Sequence, residues 1–286
     1  MRYAIIEYPK EDNMAKIVAF SNQKGGVGKT TTCVNMATYL AAYGKKVLLI
    51  DLDPQGNATT GVGIEKTKDT RTFYDVIVEE CNIRDVILDT KIMNLHIIPS
   101  NVDLAGAEID LVQMGDRERI LKTQLDTIKD EYDYILMDCP PSLGLITVNA
   151  LTATDSVIIP IQCEFYALEG LSQLMNTIKL IKQYYNPKID IEGVALTMKD
   201  NRSNLVNQVA DEIQNFFGSK VYETIIPRNV RLAEAPSHGL PIYLYDNKST
   251  GGVAYNELVI EFLKRNKDKG TLISKYKLYK GELIDE

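Results

Sequence analysis

Through most of the chain, short β-branched and aliphatic runs alternate with longer stretches whose apolar residues recur at helical spacing. The runs at 17–21, 46–50, 95–99, 134–137, 156–160 and 193–197 are apolar at consecutive positions, the pattern of strands buried on both faces. Between them, 30–43, 117–129, 167–185 and 204–217 read as helices. In the third, Leu168, Leu171, Leu174, Met175, Ile178 and Ile181 form one face. Such alternation predicts an α/β fold, a doubly wound, mostly parallel sheet with helices on both faces. No linker rich in Pro, Gly or Ser and no internal repeat divides it, so 14–265 reads as one domain. A strong strand follows Met14 at once, which marks 1–13 as an added segment. Beyond 265 the hydrophobic period is lost, and 266–286 reads as a loose tail.

Composition excludes several classes. Of the 286 residues, 45% are hydrophobic and 25% charged, near the globular average and unlike a disordered or fibrous chain. No apolar run approaches the roughly 18 residues that span a bilayer, and 1–13 lacks the pattern of a signal peptide, so a cytoplasmic protein is expected. The four cysteines stand far apart and there are only two histidines, against a zinc site or a disulfide framework. Buried, reduced thiols are the plainer reading. The net charge of −7 gives no general reason to expect nucleic acid. Residues 264–280 nevertheless carry seven lysines and arginines against Asp268 alone, leaving the remainder at −13. A solvated tail is the bland reading of that run, and a phosphate-attracting tail the sharper one.

The first strand runs into Ser21-Asn22-Gln23-Lys24-Gly25-Gly26-Val27-Gly28-Lys29-Thr30-Thr31-Thr32, followed by a helix. Glycines let successive backbone N–H groups turn toward one anion, and the helix N-terminus adds its positive end. Lys29 can reach the β- and γ-phosphates, and the Thr30 hydroxyl can bind Mg²⁺. A glycine-rich turn alone would explain the glycines, but not Gly-Lys-Thr at a strand-to-helix junction. Two apolar strands then end in carboxylates: one in Asp51 and Asp53, the other in Asp138. A lone aspartate at a strand end is more simply a turn or cap residue. Two such strands after one phosphate loop point to a nucleotide site.

Gln23 stands where the standard phosphate loop has glycine, with Lys24 beside it. This Lys-Gly-Gly-Val-Gly-Lys-Thr form resembles the deviant Walker A loop of the ParA/MinD ATPases, a P-loop NTPase group. Within it the chain is most similar to chromosomal ParA (Soj) proteins. The likeness rests on Asp51–Thr59, on Asp138-Cys139-Pro140-Pro141-Ser142-Leu143-Gly144, and on Pro160-Ile161-Gln162-Cys163-Glu164 with Ala167–Gly170. It rests also on Ile226-Pro227-Arg228-Asn229-Val230-Arg231 and the residues after it, and it covers 14 to about 263. It implies slow, Mg²⁺-dependent ATP hydrolysis and an ATP-driven homodimer that binds DNA without sequence preference, nucleoid-associated in that state. A ParB-like partner would stimulate hydrolysis and release.

Carried over by residue, Lys24 would reach the partner subunit's ATP, and Asp53 would position the attacking water. Residues 24–31 would hold the phosphates, namely Lys24, Gly25, Gly26, Val27, Gly28, Lys29, Thr30 and Thr31. Thr30, Asp51 and Asp138 would form the metal shell, and Pro227 and Asn229 would pack on adenine. Arg202 and Arg231 would contact DNA, with Lys199 and Arg228 adding charge, though a solvated arginine is a fair alternative for each.

A MinD-like membrane-positioning ATPase is the alternative, and it needs a C-terminal amphipathic helix. Residues 255–263 are apolar on one face, but 264–270 are too polar to insert. Leu272, Ile273, Tyr276, Leu278 and Tyr279 make a poor substitute, so no stable membrane insertion is expected. An iron–sulfur reductase would need bridging cysteines, and Cys139 has no counterpart in matching context.

Overall fold

The computed structural model describes residues 14–67, 69–78, 81–164, 167–199 and 204–281. β1 (Lys16–Phe20) leads through the glycine turn into α1 (Lys29–Ala42), then β2 (Val47–Asp51). Two short helices follow, α2 (Asn57–Gly61) and α3 (Phe73–Val78), before the strands β3 (Leu88–Asp89) and β4 (Leu95–Ile98). α4 (Ala107–Asp110) and α5 (Ile120–Leu125) precede β5 (Tyr134–Asp138). Regular alternation resumes with α6 (Leu145–Ala153), β6 (Ser156–Gln162), α7 (Ala167–Tyr184), β7 (Asp190–Thr197) and α8 (Asn204–Phe217). The last described elements are α9 (Val230–Glu234), α10 (Ile242–Asp246), α11 (Thr250–Arg265) and α12 (Lys275–Leu278).

The strands form one sheet in the order β3-β4-β2-β5-β1-β6-β7, parallel throughout except for β3 on β4. Alternate residues of a strand face opposite sides. Ile135 and Met137 therefore pack with Leu121, Ile146, Leu171 and Ile213 of α5 to α8, while Leu49 and Leu136 pack with α1, α10 and α11. Helices cover both faces, as the alternation predicts. The chain leaves β1 toward β2 on one side, and β6 lies on the other. That reversal opens a crevice at the carboxyl end of β1, where such sheets take their ligands.

The helix expected over 117–129 is shorter. Asn149 on α6 clamps its start, accepting from Leu121 N at 3.2 Å and donating to Arg117 O at 2.6 Å. Past Leu125 the bonds tighten to three-residue turns, and Thr127 Oγ1 donates to Gln124 O at 2.7 Å. Local side-chain bonds of this kind compete with helix.

The expectation of a loose tail also fails for residues 266–281, which dock on α1, α10 and the start of β4. Asp268 Oδ1 accepts from Lys45 Nζ at 2.6 Å and Oδ2 from Tyr134 Oη at 2.7 Å. Burial alone would raise this carboxyl; the bonds from Lys45, Tyr134 and the Lys269 N–H outweigh it and hold it below its ordinary range. Ile273 N donates to Ala42 O at 2.7 Å, Met93 N to Leu278 O at 2.7 Å, and Lys280 N to Lys91 O at 2.8 Å. Leu278 is fully buried. The segment has few apolar residues, so its pattern is weak, yet these contacts suffice to hold it. Leu278→Ala is expected to cost about 2–4 kcal/mol through lost burial and an incompletely closed cavity, read as a lower urea midpoint. A midpoint unchanged from the parent would show that the segment adds no stability.

At the opposite edge, Tyr222 N donates to Val194 O and Ile226 N to Leu196 O, both at 2.9 Å. This carries residues 221–227 along β7.

Candidate functional site

Lys29, Asp51, Asp53 and Asp138 meet at the carboxyl ends of β1, β2 and β5. The turn between β1 and α1 turns back at Gly26 and Gly28, whose φ angles of +75° and +84° are ones that side chains disfavour. Val27 between them is buried, and its carbonyl accepts from Thr197 Oγ1 at 2.8 Å, so the end of β7 props the loop. Gly28 precedes α1 and no side chain caps the helix, which leaves its first N–H groups for an anion. Lys29 is 6% exposed, and its Nζ donates to Lys24 O at 3.2 Å. Burial lowers its pKa, while Asp138, Cys139 and Asp53 pull the other way.

Asp51 and Asp138 stand at the same register on neighbouring strands. Asp51 is pushed up to about 6 by burial, against the bonds it accepts. Those bonds come from Thr59 N and Thr59 Oγ1, both at 2.8 Å, and Asp53 N at 3.2 Å. Thr59 Oγ1 also accepts from Ser100 N at 3.0 Å, tying α2 to the ends of β2 and β4. Asp51 thus anchors the turn and α2, and an outer place in a metal shell is what its remaining capacity allows. Thr59 had no role in the sequence reading; the signal was its place eight residues after Asp51 inside the quoted motif.

Asp138 is fully buried, and both its carboxylate oxygens lack a hydrogen-bond partner. Burial and the neighbouring Asp51 raise it well above its ordinary value, while the facing Thr30 hydroxyl and Lys29 ammonium favour its charge. A buried carboxylate with unmet acceptors beside a threonine hydroxyl fits a divalent cation. Among the described residues no three His, Cys, Asp or Glu side chains form a metal cage. Magnesium keeps several waters and shares its ligands with phosphates, so a single buried carboxylate beside a hydroxyl can serve it. Thr30 and Asp138 are the residues that would hold it. Asp53 is half-buried, and its Oδ1 accepts from Gln55 N at 2.9 Å.

Pro227 and Asn229 line a cavity of about 200 Å³ with Gly28, Thr31, Thr197 and Met198. Asn229 Oδ1 caps α9 by accepting from Leu232 N at 3.3 Å, and Asn229 Nδ2 donates to Thr250 Oγ1 at 2.8 Å. It shapes this cavity with side-chain groups already engaged.

Lys24 lies apart from the buried cluster. Its ammonium is at the surface, in a salt bridge with Glu164 on the loop after β6. Lys199 and Pro227 pair side by side, which brings Lys199, the exposed Arg228 and α9 into one region. Arg231 is paired with Glu234 at 3.3 Å and Asp246 at 3.5 Å and lies over the Tyr245 ring. Arg202 lies outside the described residues. Among the described residues, no helix is long and apolar enough to cross a membrane.

The family profile for an AAA domain matches residues 15–191. The sporulation initiation inhibitor protein Soj of Bacillus subtilis is 57% identical over 248 residues, spanning 87% of this chain and 98% of that protein. The chromosome partitioning protein ParA of Caulobacter vibrioides is 50% identical over 259 residues, 90% of this chain and 97% of its own. Among solved structures, the cobyrinic acid a,c-diamide synthase of Mycobacterium smegmatis with bound ADP and magnesium aligns with a TM-score of 0.78 at 33% identity. That alignment covers 91% of this chain and 98% of the synthase. Sharing half or more of the aligned residues with Soj and ParA along nearly their whole lengths, the chain belongs to the ParA/Soj family of chromosome-partitioning ATPases.

Proposed function

We propose that the chain partitions chromosomes as an ATP-gated homodimer that grips DNA of any sequence and lets go when a ParB-like partner stimulates hydrolysis. Position carries this reading: Lys24 holds its charge outside its own Lys29–Asp138 cluster, on the loop that would face a second subunit. Within one subunit that cation pairs with Glu164 at the surface, away from the Lys29–Asp138 cluster. In a symmetric dimer each Lys24 would neutralise phosphate charge on the partner's ATP, so that nucleotide holds two subunits together.

Within each subunit, Lys29 and the first N–H groups of α1 would bind the β- and γ-phosphates. Pro227 would pack against the base, and Asp53 would orient water for in-line attack. Magnesium, when bound, neutralises charge on the transferring phosphate. Dimerisation doubles whatever contacts Lys199, Arg202, Arg228 and Arg231 make with the DNA backbone. Phosphate oxygens would take the place that Glu234 and Asp246 hold around Arg231. Such binding gives affinity and salt dependence without sequence reading. Leu278, which a membrane-positioning ATPase would need on an exposed helix face, is buried in the fold, and this favours the partition reading.

The test is a gel shift with a non-hydrolysable ATP analogue on unrelated DNA fragments over a salt series. Parent protein should bind all fragments alike, with log affinity falling by roughly 0.9 per phosphate contact for each decade of salt. Lys24→Ala should stay monomeric and fail to bind DNA. Arg231→Glu should dimerise yet lose binding at physiological salt. Undiminished binding by Arg231→Glu, or preference for one sequence, removes the DNA assignment.

A further inference from the structure

Lys24 and Glu164 are held together by more than two flexible side chains. Lys24 N donates to Asn22 Oδ1 at 3.0 Å, and Asn22 Nδ2 in turn donates to the carbonyl of Pro160 on β6 at 2.7 Å. The Lys24 carbonyl accepts from Lys29 Nζ. On the other side, Glu164 N donates to Gln162 O at 2.8 Å, two residues beyond Pro160. Both backbones are therefore fixed to the carboxyl end of β6, and the free motion belongs to the two side chains. The Lys24 and Glu164 side chains are 33% and 47% exposed, so the bridge sits on the surface.

We infer that Glu164 is a positioning residue that holds Lys24 in the unpaired subunit and so sets the protein concentration at which ATP produces a dimer. The inference rests on the proposed role of Lys24 across the interface. To reach a phosphate on the partner, the ammonium must first leave Glu164. Every dimer breaks two such bridges, one in each subunit. An exposed bridge of this kind shifts an equilibrium by a factor of roughly 1.5 to 5, so the two together weaken dimerisation roughly 2- to 30-fold. In return, the phosphate-seeking lysine is kept occupied until a nucleotide-loaded partner offers a stronger anion.

The experiment is sedimentation velocity on the full chain, with a non-hydrolysable ATP analogue and magnesium, over a range of protein concentrations. Glu164→Gln keeps the shape of the side chain and removes its charge. Its half-maximal dimer should form at a concentration roughly 2- to 30-fold below the parent's. A second readout is the acylation rate of individual lysines in the ADP-bound monomer, measured by mass spectrometry. Lys24 should react severalfold faster in Glu164→Gln, with Lys29 unchanged, an effect that a general packing role for Glu164 would not produce.

Dimerisation of Glu164→Gln at the parent's concentration or above it would overturn the proposal, as would an unchanged Lys24 rate. Lys24→Ala, run alongside, separates this outcome from failure of the underlying reading. If that variant dimerises as the parent does, the cross-subunit role of Lys24 is wrong. If it stays monomeric while Glu164→Gln matches the parent, only the latch is wrong.

Discussion

Lys29→Ala is expected to lose ATP binding by a factor of roughly 30 to several thousand, the equivalent of about 2–5 kcal/mol for removing one member of a buried charge pair. Two effects add. The ammonium that would contact the phosphates is gone, from a site where burial makes each contact strong. Asp138 and Asp53 also lose the cation that offsets them, so the pocket turns more repulsive to a polyanion. Titration calorimetry with MgATP measures the loss, and far-UV circular dichroism confirms that α1 persists. Affinity within threefold of the parent would show that the glycine turn binds phosphate without this lysine.

Asp53→Ala is expected to separate binding from turnover. Its carboxylate contributes one local bond, to Gln55 N, whereas α2 is anchored by Asp51 through Thr59. The turn bond from Gly56 N to the Asp53 carbonyl, 2.8 Å, belongs to the backbone and survives the change. ATP affinity should therefore stay within a few-fold of the parent. The rate of phosphate release in a single turnover should fall roughly 10²- to 10⁴-fold, the usual contribution of a group that orients or deprotonates a nucleophile. Hydrolysis at the parent rate would assign the water to another residue.

The parallel sheet was legible because its strands are buried on both faces and read as unbroken apolar runs, as in 134–137. The cradle was legible because its chemistry is contiguous: glycines, Lys29 and Thr30 lie within six positions. What escaped depends on distant partners. Asn149 cuts α5 short from another helix, and Lys45 and Tyr134 fasten Asp268 from α1's end and β5. Thr59 and Glu164 stood inside motifs quoted for likeness, but their work, holding Asp51 and Lys24, appears only when strand ends converge. Arg231 is expected from the resemblance to contact DNA, and only the fold sets Glu234 and Asp246 beside it.

Among the described residues, neither margin of the sheet presents a long bare strand. One ends in the two-residue β3, and beside it Ile92 bridges to Tyr279; the other is lined by residues 221–227 bonded along β7. Exposed strand margins invite cross-chain ladders and, at high local density, aggregates. Many copies crowded on one nucleic acid, as the proposed function implies, would meet that hazard. Among the described residues, the margins offer little unpaired backbone for such zippering. In the proposed dimer, self-association would thereby be left to side chains and nucleotide, contacts that hydrolysis can undo, where a backbone ladder would persist.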